Sequence, residues 1–390
     1  MSKPAIGVGL IGSGFMGRSH SLAYLNVDKL FELPFRVELR MLADQTEAQA
    51  SRAADAFGFA RATGDWRELV ADSRIEVVSI TTPNRLHKDM ALAAIDAGKH
   101  VWCEKPLAPT LADARIMAEA ARHRGVRTAV GFNYLKNPMM RLARDMIAGG
   151  EIGEVRTFRG IHAEDFMADV SQPWSWRLDP ANGGGALVDI GSHIIAAARY
   201  LLGPIVEVDG RTDTLVTSRP IAAGAAERRT VAVDDVTTAR LRFRSGVVGT
   251  IEANWLATGR TMQHAFEIAG SAGSIAFSQE RFNELQLYCA GDEAARRGFR
   301  TIVAGPEHEP YGAFCVAPGH QIGFNDLKAI EARDFLLSIA DDAPRHAGLG
   351  HAGLGHAGFD EGVAVLEVVD AIYRSARDGG QPVAIGVSAQ

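Results

Sequence analysis

A short glycine-rich segment near the N-terminus has the residue types and spacing to bind phosphate. Gly12, Gly14 and Gly17 form a G-x-G-x-x-G pattern between a predicted strand and a predicted helix, the context that makes this pattern informative. The glycines let the backbone approach a pyrophosphate, whose charge then faces free N–H groups at the helix N-terminus. The alternative is a glycine-rich turn with no ligand. We predict that the segment binds a dinucleotide through Gly12, Ser13, Gly14, Phe15, Met16 and Gly17.

Asp44 is the candidate ligand for the ribose of that dinucleotide. It ends the second predicted strand, 32 residues after Gly12, whereas the usual spacing is about 20. The excess fits an insertion around Leu30 to Phe35, where Pro34 ends the helix. A carboxylate accepts bonds from a ribose 2′-hydroxyl and repels a 2′-phosphate, so NAD is favoured over NADP. The alternative is that Asp44 caps a helix starting near Thr46.

The elements that position these residues alternate between short β-branched runs and alanine-rich helical stretches. This alternation indicates βαβ units and a parallel sheet. Strands are predicted at Ile6 to Ile11, Val37 to Ala43, Val77 to Thr81, His100 to Cys103 and Arg127 to Gly131, and helices at Thr46 to Phe57, His87 to Ala97 and Thr110 to Arg124.

The pattern changes after a predicted helix from Asn137 to Ala148. Longer alternating segments follow, and Val236 to Trp255, with a turn at Ser245 and Gly246, is typical of an antiparallel hairpin with one solvated face. Further strands are predicted at Val155 to His162, Ile205 to Thr217, Ala265 to Phe277 and Leu285 to Cys289. The predicted fold is an α/β dinucleotide-binding domain (1–132) followed by an α+β domain (133–390), in which helices cover one face of an antiparallel sheet.

Composition excludes several classes of function. The net charge of −6, with no basic run interleaved with aromatic residues, argues against a nucleic-acid partner. Three widely spaced cysteines, Cys103, Cys289 and Cys315, suit reduced thiols in a cytoplasm. We expect neither export nor membrane insertion, because glycines interrupt the apolar N-terminal run and no cleavage site follows.

A His-Ala-Gly repeat places His346, His351 and His356 at regular spacing near the C-terminus. The repeat contains no Asp, Glu or Cys ligand, so we interpret it as a duplicated loop and predict no metal site. A metal bound by the three histidines is the alternative, and the purpose of the repeat is not apparent.

Several further segments resemble one family in order and context. They are Thr81-Thr-Pro-Asn-Arg-Leu-His87, Ala97-Gly-Lys-His-Val-Trp-Cys-Glu-Lys-Pro106, Gly150-Glu-Ile-Gly-Glu-Val155 and Gly183-Gly-Gly-Ala-Leu-Val-Asp-Ile-Gly-Ser-His193. With the opening glycine pattern, these segments resemble the glucose-fructose oxidoreductase, inositol dehydrogenase and MocA (Gfo/Idh/MocA) family over nearly the whole chain.

The resemblance implies a Rossmann domain, a second domain that is built on a large, mostly antiparallel sheet and binds the substrate, and a nicotinamide in the cleft between them. It implies that Thr81, Pro83, Asn84 and His87 line the dinucleotide, and that Glu104 and Lys105 approach the nicotinamide ribose. It also implies a homodimer or homotetramer formed through the exposed face of the second sheet.

Oxidation of an alcohol requires a base for the hydroxyl proton and a donor that stabilises the developing alkoxide. Histidine side chains in general exchange a proton near neutral pH, so His193 is the candidate acid and base. Lys105, in a Glu-Lys-Pro turn, is the candidate donor. Asp189 precedes His193 by four residues, which puts both on one face of a helix, where Asp189 would orient the imidazole or bind a hydroxyl. Taken singly, each residue has an ordinary structural alternative, and the family pattern is what groups the three.

Other polar and aromatic residues are weaker candidates. Arg177 would bind the cofactor and Trp176 would stack on a sugar, with Trp174 nearby, although ordinary packing explains these residues equally well. Asn133, Tyr134 and His162, with Glu164 and Asp165, are candidates for hydroxyl recognition.

The combined prediction is an NAD-dependent oxidoreductase acting on a hydroxyl of a sugar, anhydrosugar or polyol. Spacing around Trp176-Arg177 is similar to that of bacterial members that act on sugar derivatives. Two alternatives remain. In the first, tightly bound NAD is reduced and reoxidised within one active site, to transfer electrons between sugars or to cleave a glycoside. In the second, the protein is a non-catalytic sugar sensor. The particular sugar, the hydroxyl, the stereochemistry and the direction do not follow from the sequence.

Overall fold

A computed structural model describes residues 3–340 and 357–386 of the chain. The chain divides into two compact units: the first unit comprises residues 1–136 and 323–364, and the second comprises 137–322 and 365–390. The first boundary lies four residues after the predicted one, and the second unit does not include residues 323–364, which the sequence prediction had assigned to the second domain. His346, His351 and His356 lie outside the described residues.

The strands and helices are numbered in chain order. The strands are β1 Ala5–Ile11, β2 Arg36–Ala43, β3 Arg61–Thr63, β4 Val77–Ile80, β5 His100–Cys103, β6 Thr128–Val130, β7 Val155–Ala163, β8 Ile205–Asp213, β9 Ser218–Pro220, β10 Arg228–Thr230, β11 Val236–Phe243, β12 Val248–Asn254, β13 Gln263–Gly270, β14 Gly273–Ser278, β15 Glu284–Cys289, β16 Arg300–Val303 and β17 Val383–Ala384. The helices are α1 Phe15–Leu30, α2 Glu47–Phe57, α3 Trp66–Ala71, α4 His87–Asp96, α5 Leu111–Arg124, α6 Pro138–Ala148, α7 Ser192–Leu202, α8 Phe324–Ala340 and α9 Phe359–Arg377.

The first unit is built on a parallel sheet with strand order β3-β2-β1-β4-β5-β6. This order confirms the predicted Rossmann architecture. The chain reverses its direction of travel across the sheet between β1 and β4. The loops after these two strands therefore lie side by side at the switch point, where such sheets bind ligands.

Helix α8 belongs to the first unit although it follows strands β7 to β16 in the chain. Phe335 and Leu336 of α8 are fully buried in a core with Tyr24 of α1 and Trp102 of β5. Burial of these large apolar side chains favours this packing. This contact explains why α8 groups with the dinucleotide-binding sheet.

The second unit contains a nine-stranded sheet with order β16-β15-β14-β13-β7-β12-β11-β8-β17. The pairing of β7 with β12 is parallel, and the other pairings described in this sheet are antiparallel. The fold class is therefore confirmed. The single strand expected from Ala265 to Phe277 is wrong, because Ser271 and Ala272 turn the chain between β13 and β14. Apolar alternation continues across that tight turn and conceals it.

One face of this sheet carries a helix and the other carries charges. Helix α7 packs against β7, β12 and β13. On β11, exposed Arg240 and Arg242 alternate with buried Leu241, and Arg240 donates to Asp209 at 2.7 Å. The solvated face predicted from the alternation is present. Association of copies through this face stays a prediction.

The segment Pro180–Leu202 is the one part of the described chain that is long and apolar enough to cross a membrane. Because 83% of its apolar window is buried inside the protein, its composition is that of a core helix. The cytoplasmic location stays a prediction.

Candidate active site

The glycine-rich loop connects β1 to α1, and each glycine meets a different constraint. Gly12 has φ of +97°, which favours glycine in this turn. A Cβ on Gly14 would meet no atom within 4 Å, so the backbone is open to a ligand there. A Cβ on Gly17 would lie 2.1 Å from the Gly12 carbonyl oxygen, so the helix can approach the strand only with glycine at this position. These three roles are those expected of a pyrophosphate-binding loop.

The N-terminus of α1 is open to an anion. Gly14 caps the helix without a side-chain hydrogen bond, and the first turn has no acidic residue. Phe15 is 71% exposed at the start of the helix. The unbonded N–H groups and the helix dipole therefore favour a phosphate at this end.

Asp44 follows β2 and lies beside the loop. Its Oδ2 accepts a hydrogen bond from the Ser13 backbone N–H at 2.8 Å and another from the Ser13 hydroxyl, and its Oδ1 accepts from the Gln45 N–H at 2.6 Å. The alternative role as a helix cap is taken by Thr46, whose hydroxyl accepts from the Gln49 N–H at the start of α2.

A cavity of about 530 Å³ adjoins the loop and suits the adenosine half of a dinucleotide. Six residues that were predicted to bind the cofactor line this cavity: Gly12, Ser13, Gly14, Asp44, Thr81 and Pro83. Its lining also includes Gln45, Gln49, Trp66, Leu86 and Met90. Thr81 donates through its hydroxyl to the Gly12 carbonyl at 2.8 Å, which joins the loops after β1 and β4. The glycine-rich loop, the uncapped N-terminus of α1 and the Asp44 carboxylate are together the groups expected to bind NAD.

His87 and Asn84, which the resemblance places along the dinucleotide, are buried, and their contact with the cofactor stays a prediction. His87 is 1% exposed, and its Nε2 and Nδ1 contact the carbonyl oxygens of Thr82 at 2.9 Å and Pro106 at 3.1 Å. Burial lowers the pKa of His87 against the effect of these contacts. The imidazole therefore ties the loop after β4 to the loop after β5. Asn84 is also buried, in the short helical turn before α4.

Glu104 lies in a buried charge cluster that the sequence analysis did not find. Its carboxylate accepts from His20 Nε2 at 2.8 Å and from Lys328 Nζ at 2.5 Å, and Lys328 also donates to Glu331 at 2.8 Å. We call His20, Glu104, Lys328 and Glu331 the Glu104 cluster. All four are buried. No local sequence signal marks the cluster, because Lys328 is 224 residues from Glu104.

The protonation states within the Glu104 cluster follow from burial and from the central ammonium. Burial opposes ionisation of Glu104, but Lys328 and His20 outweigh it and hold the pKa of Glu104 below its usual range. Burial and the Lys328 charge lower the pKa of His20 to about 4. Burial raises the pKa of Glu331 to about 7, against the attraction of Lys328. At neutral pH the cluster therefore contains an ionised Glu104, a charged Lys328 and a neutral His20.

Lys105 is the second residue after β5 in the first unit and is partly exposed. Asp189 and His193 belong to the second unit. Asp189 lies in a turn of π-helix, Leu187–Gly191, which continues into α7 at Ser192, and His193 is the second residue of α7. The segment is helical, as the predicted pairing of Asp189 with His193 requires.

Arg177 bonds to Asp189, a contact that the sequence analysis did not predict. Its Nε donates to Asp189 Oδ2 at 3.0 Å, and its guanidinium lies 4.5 Å from the centre of the Trp176 ring. The stacked ring and the ion pair restrict both side chains. Arg177 thus directs the Asp189 carboxylate, and Trp176 supports Arg177.

A buried aspartate anchors the helix that carries Asp189 and His193. Asp234 accepts hydrogen bonds from the Leu187 N–H at 2.8 Å, the Thr237 hydroxyl at 2.8 Å and the Tyr373 hydroxyl at 2.7 Å. Burial raises the pKa of Asp234, although these donors oppose the shift. Sequence reasoning missed Asp234 because two of its partners, Leu187 and Tyr373, are distant from it in the chain.

Three histidine rings lie together on the second unit. The His162 ring centre is 5.6 Å from that of His193 and 4.9 Å from that of His264, and His162 Nε2 donates to Glu164 at 2.9 Å. His162 is 1% exposed, so its position is beside His193 rather than on an open surface. In the described parts of the chain, no group of three or more His, Cys, Asp or Glu side chains is arranged to hold a metal.

The remaining candidates have structural contacts. Asn133 and Tyr134 are buried in the first unit, where the Tyr134 ring meets Phe324 edge-on at 6.2 Å. Trp174 lies under the Arg229 guanidinium at 3.5 Å from its ring centre. Asp165 accepts from the Gly259 N–H at 3.1 Å.

The strand order, the glycine loop at the switch point and the acidic residue after β2 define a dinucleotide-binding protein of the Rossmann class. Comparison with known proteins specifies the class further. Residues 6–132 match an oxidoreductase family with an NAD-binding Rossmann fold, and residues 140–276 match the GFO/IDH/MocA C-terminal domain.

Individual relatives match over almost the full chain. The sequence is 40% identical to levoglucosan dehydrogenase of Pseudarthrobacter phenanthrenivorans over 95% of this chain and 96% of that one, and 28% identical to D-apiose dehydrogenase of Paraburkholderia graminis over 95% and 87%. The solved structure of levoglucosan dehydrogenase in complex with NADH and levoglucosan superposes with a TM-score of 0.90 at 40% identity, covering 98% of this chain and 99% of that one. The chain belongs to the Gfo/Idh/MocA family of NAD-binding oxidoreductases.

Replacing Glu331 by Gln tests the raised pKa of this buried carboxyl. Because the pKa rises from 4.5 in the unfolded chain to about 7 in the folded protein, the contribution of Glu331 to stability is fully present below pH 4.5 and is lost as the pH rises through 7. Glutamine does not ionise. The free energy of unfolding of Glu331→Gln, relative to wild type, should therefore increase by about 3 kcal/mol between about pH 4.5 and about pH 8.

Urea unfolding at both pH values measures this difference. The control is Glu119→Gln, which changes an exposed glutamate on α5 and should give the same small difference at both pH values. A Glu331→Gln effect that is equal at both would contradict the shift.

Proposed function

We propose that the protein is an NAD-dependent dehydrogenase that oxidises a hydroxyl group of a sugar, an anhydrosugar or a polyol, with an anhydrosugar such as levoglucosan the leading substrate. The observation that carries this proposal is the 40% identity to a levoglucosan dehydrogenase over 95% of the chain. The intact glycine loop and Asp44 support the cofactor part of the proposal.

The proposed roles follow from the chemistry of three side chains. His193 accepts the hydroxyl proton during oxidation and returns it during reduction, because an imidazole exchanges a proton near neutral pH. Lys105 donates a hydrogen bond to the same oxygen and stabilises its alkoxide character. Bound NAD would accept the hydride from the carbon that carries this oxygen.

Asp189 has the third role, and its partner refines the expectation from sequence. Arg177 donates to Asp189 Oδ2 at 3.0 Å, and an ionised carboxylate accepts several hydrogen bonds at once. We propose that Asp189 also accepts from a substrate hydroxyl or orients the imidazole of His193. We propose that Arg177 acts mainly by directing Asp189. Trp176, on which Arg177 stacks, would present its remaining ring surface to the C–H face of a sugar.

The function is tested by measuring NADH formation at mildly alkaline pH with purified protein, NAD or NADP, and a panel of anhydrosugars, inositols, aldoses and glycosides. Growth of NADH absorbance with an anhydrosugar and NAD is expected. Sugar conversion without net NADH, with NAD retained on the protein, would instead support internal redox chemistry. Sugar binding without any conversion would support the sensor.

The matched variant in this assay is Lys105→Met, which removes the ammonium and keeps the length of the side chain. Loss of one donor to a developing oxyanion lowers kcat by about 10²- to 10³-fold, and binding of NADH, followed by its fluorescence, should change little. Turnover at the wild-type rate would show that Lys105 does not have this role.

Asp44→Ala tests the preference for NAD. Removing a charge-assisted acceptor from the ribose costs about 1.5–3 kcal/mol, so the ratio of kcat/KM for NAD to that for NADP should fall by about 10- to 100-fold. Thr46→Ala is the control, because it removes the neighbouring helix cap. It should lower stability by about 1 kcal/mol and leave the ratio unchanged. An unchanged ratio in Asp44→Ala would exclude the ribose role.

A further inference from the structure

A small hairpin of the second unit packs on the loop that carries Trp176 and Arg177. Strands β9 and β10 pair antiparallel in a two-stranded sheet, separate from the nine-stranded sheet, and lie in the segment between β8 and β11. The loop, residues 164–178, follows β7 and ends with a short helical turn, Trp176–Leu178. We call these two elements the β9–β10 hairpin and the Trp176 loop.

Arg219 of β9 joins the hairpin to the Trp176 loop. Its side chain is 0% exposed. Its guanidinium donates to the Asp169 carbonyl at 2.6 Å and to the Met167 carbonyl at 2.5 Å. Because arginine stays charged in a protein, burying it is costly unless the charge is paired or hydrogen-bonded. Both acceptors are backbone atoms of the Trp176 loop, so Arg219 fixes the course of the loop backbone.

A buried carboxylate holds the chain that leads into β9. Asp235 is 0% exposed, and its charge opposes the lowering of the Arg219 pKa by burial. Its Oδ1 accepts from Trp255 Nε1 at 2.6 Å, and its Oδ2 accepts from the N–H groups of Leu215 and Val216, each at 2.8 Å. The carboxylate that compensates Arg219 therefore also attaches the hairpin to the core of the second unit.

A second set of contacts from the hairpin reaches Trp174. The Trp174 N–H donates to the Pro220 carbonyl at 2.7 Å, and the Arg229 guanidinium of β10 lies 3.5 Å from the centre of the Trp174 ring. Trp174 precedes Trp176 by two residues. The segment that carries Trp176 therefore starts from a residue that both strands of the hairpin contact.

The far end of the Trp176 loop meets the helical segment that carries Asp189. Leu178 is buried in the same apolar cluster as Ile190, the residue after Asp189. Arg177 donates to Asp189 Oδ2 at 3.0 Å. A Cβ on Gly184 would lie 2.2 Å from the Arg177 carbonyl oxygen, so the backbone is closely packed there. The loop is therefore held by the hairpin at one end and by the Asp189 segment at the other.

We propose that Arg219 is a positioning residue for recognition of the sugar. By fixing the Trp176 loop, it sets where the Trp176 ring and the Arg177 guanidinium lie, and Arg177 in turn directs the Asp189 carboxylate. The β9–β10 hairpin thereby determines which sugars the site accepts. The inference rests on the proposed function, which gives Trp176 and Asp189 their contacts with the sugar.

The principal test is Arg219→Met in the full-length protein, with levoglucosan as the sugar. Once the loop is released from β9, the ground state and the transition state of the sugar lose the same contacts, which raises KM and leaves kcat little changed. We expect KM to rise about tenfold, as for loss of about one hydrogen bond to the sugar. NADH affinity, followed by fluorescence, should be unchanged.

Hydrogen exchange measured by mass spectrometry reports on the loop without turnover. Amides of residues 164–178 should exchange faster in Arg219→Met than in wild type, because the two hydrogen bonds to the loop backbone are absent. Arg219→Lys keeps the charge and a donor. It should recover part of the slow exchange and part of the KM.

The matched control is Lys99→Met. Lys99 is also a buried cation that donates to two backbone carbonyls, those of Asp72 at 2.9 Å and Ile75 at 2.7 Å. It precedes β5 in the first unit, at the opposite end of the strand from the ligand-binding edge. This variant should lose stability but keep the wild-type KM for levoglucosan. An unchanged KM in Arg219→Met, or an equal rise in both variants, would overturn the inference.

Arg229→Ala decides the matter if Arg219→Met does not fold. Arg229 is exposed on β10, so its replacement should not prevent folding, but Trp174 loses the cation over its ring. We expect KM for levoglucosan to rise about threefold and residues 173–178 to exchange faster. A wild-type KM in Arg229→Ala would overturn the inference. Absence of turnover in the wild-type protein would instead overturn the proposed function, while the exchange rates would still show whether Arg219 holds the loop.

Discussion

The ion pair between Glu104 and Lys328 joins the end of β5 to a helix 224 residues later in the chain. This ion pair constrains the surrounding structure, because burying either charge without the other would be strongly destabilising. Around it, Gly131 must lack a side chain, His20 must stack on Trp102, and α8 must pack on the dinucleotide-binding sheet rather than on the second unit. Lys105, the proposed donor to the substrate oxygen, is the next residue after Glu104 in the chain.

The second unit also contains a buried carboxylate that fixes the backbone near residues proposed for chemistry. A buried carboxylate, Asp234, binds the backbone of Leu187 and the hydroxyls of Thr237 and Tyr373, and the helical segment that begins there carries Asp189 and His193. In both units, side chains proposed for chemistry are attached to backbone that a buried carboxylate holds. Such support from surrounding residues is what keeps reacting groups in a productive geometry.

Local pattern predicted the dinucleotide-binding sheet well, because its strands are apolar runs separated by alanine-rich helices, and the Gly12 to Gly17 segment has a signature of its own. Short elements such as β3 and α3 were missed, since three to six residues give no periodicity. The pairs Glu104 with Lys328, Asp189 with Arg177, and Asp234 with Tyr373 depend on tertiary packing. In sequence, Lys328 and Glu331 look like an ordinary surface pair three residues apart on a helix, and only the structure shows that they are buried beside Glu104.

The most direct test of the proposed dehydrogenase activity is to trace the transferred hydrogen from the sugar to the nicotinamide. Levoglucosan carrying deuterium on each of its carbinol carbons in turn would be incubated with the protein and NAD, and the reduced nicotinamide analysed by mass spectrometry. The account predicts that one position, and one only, transfers its deuterium to the nicotinamide while the sugar becomes a ketone. Reduced nicotinamide without label, or a sugar product that regains its deuterium with no net NADH, would contradict a dehydrogenase.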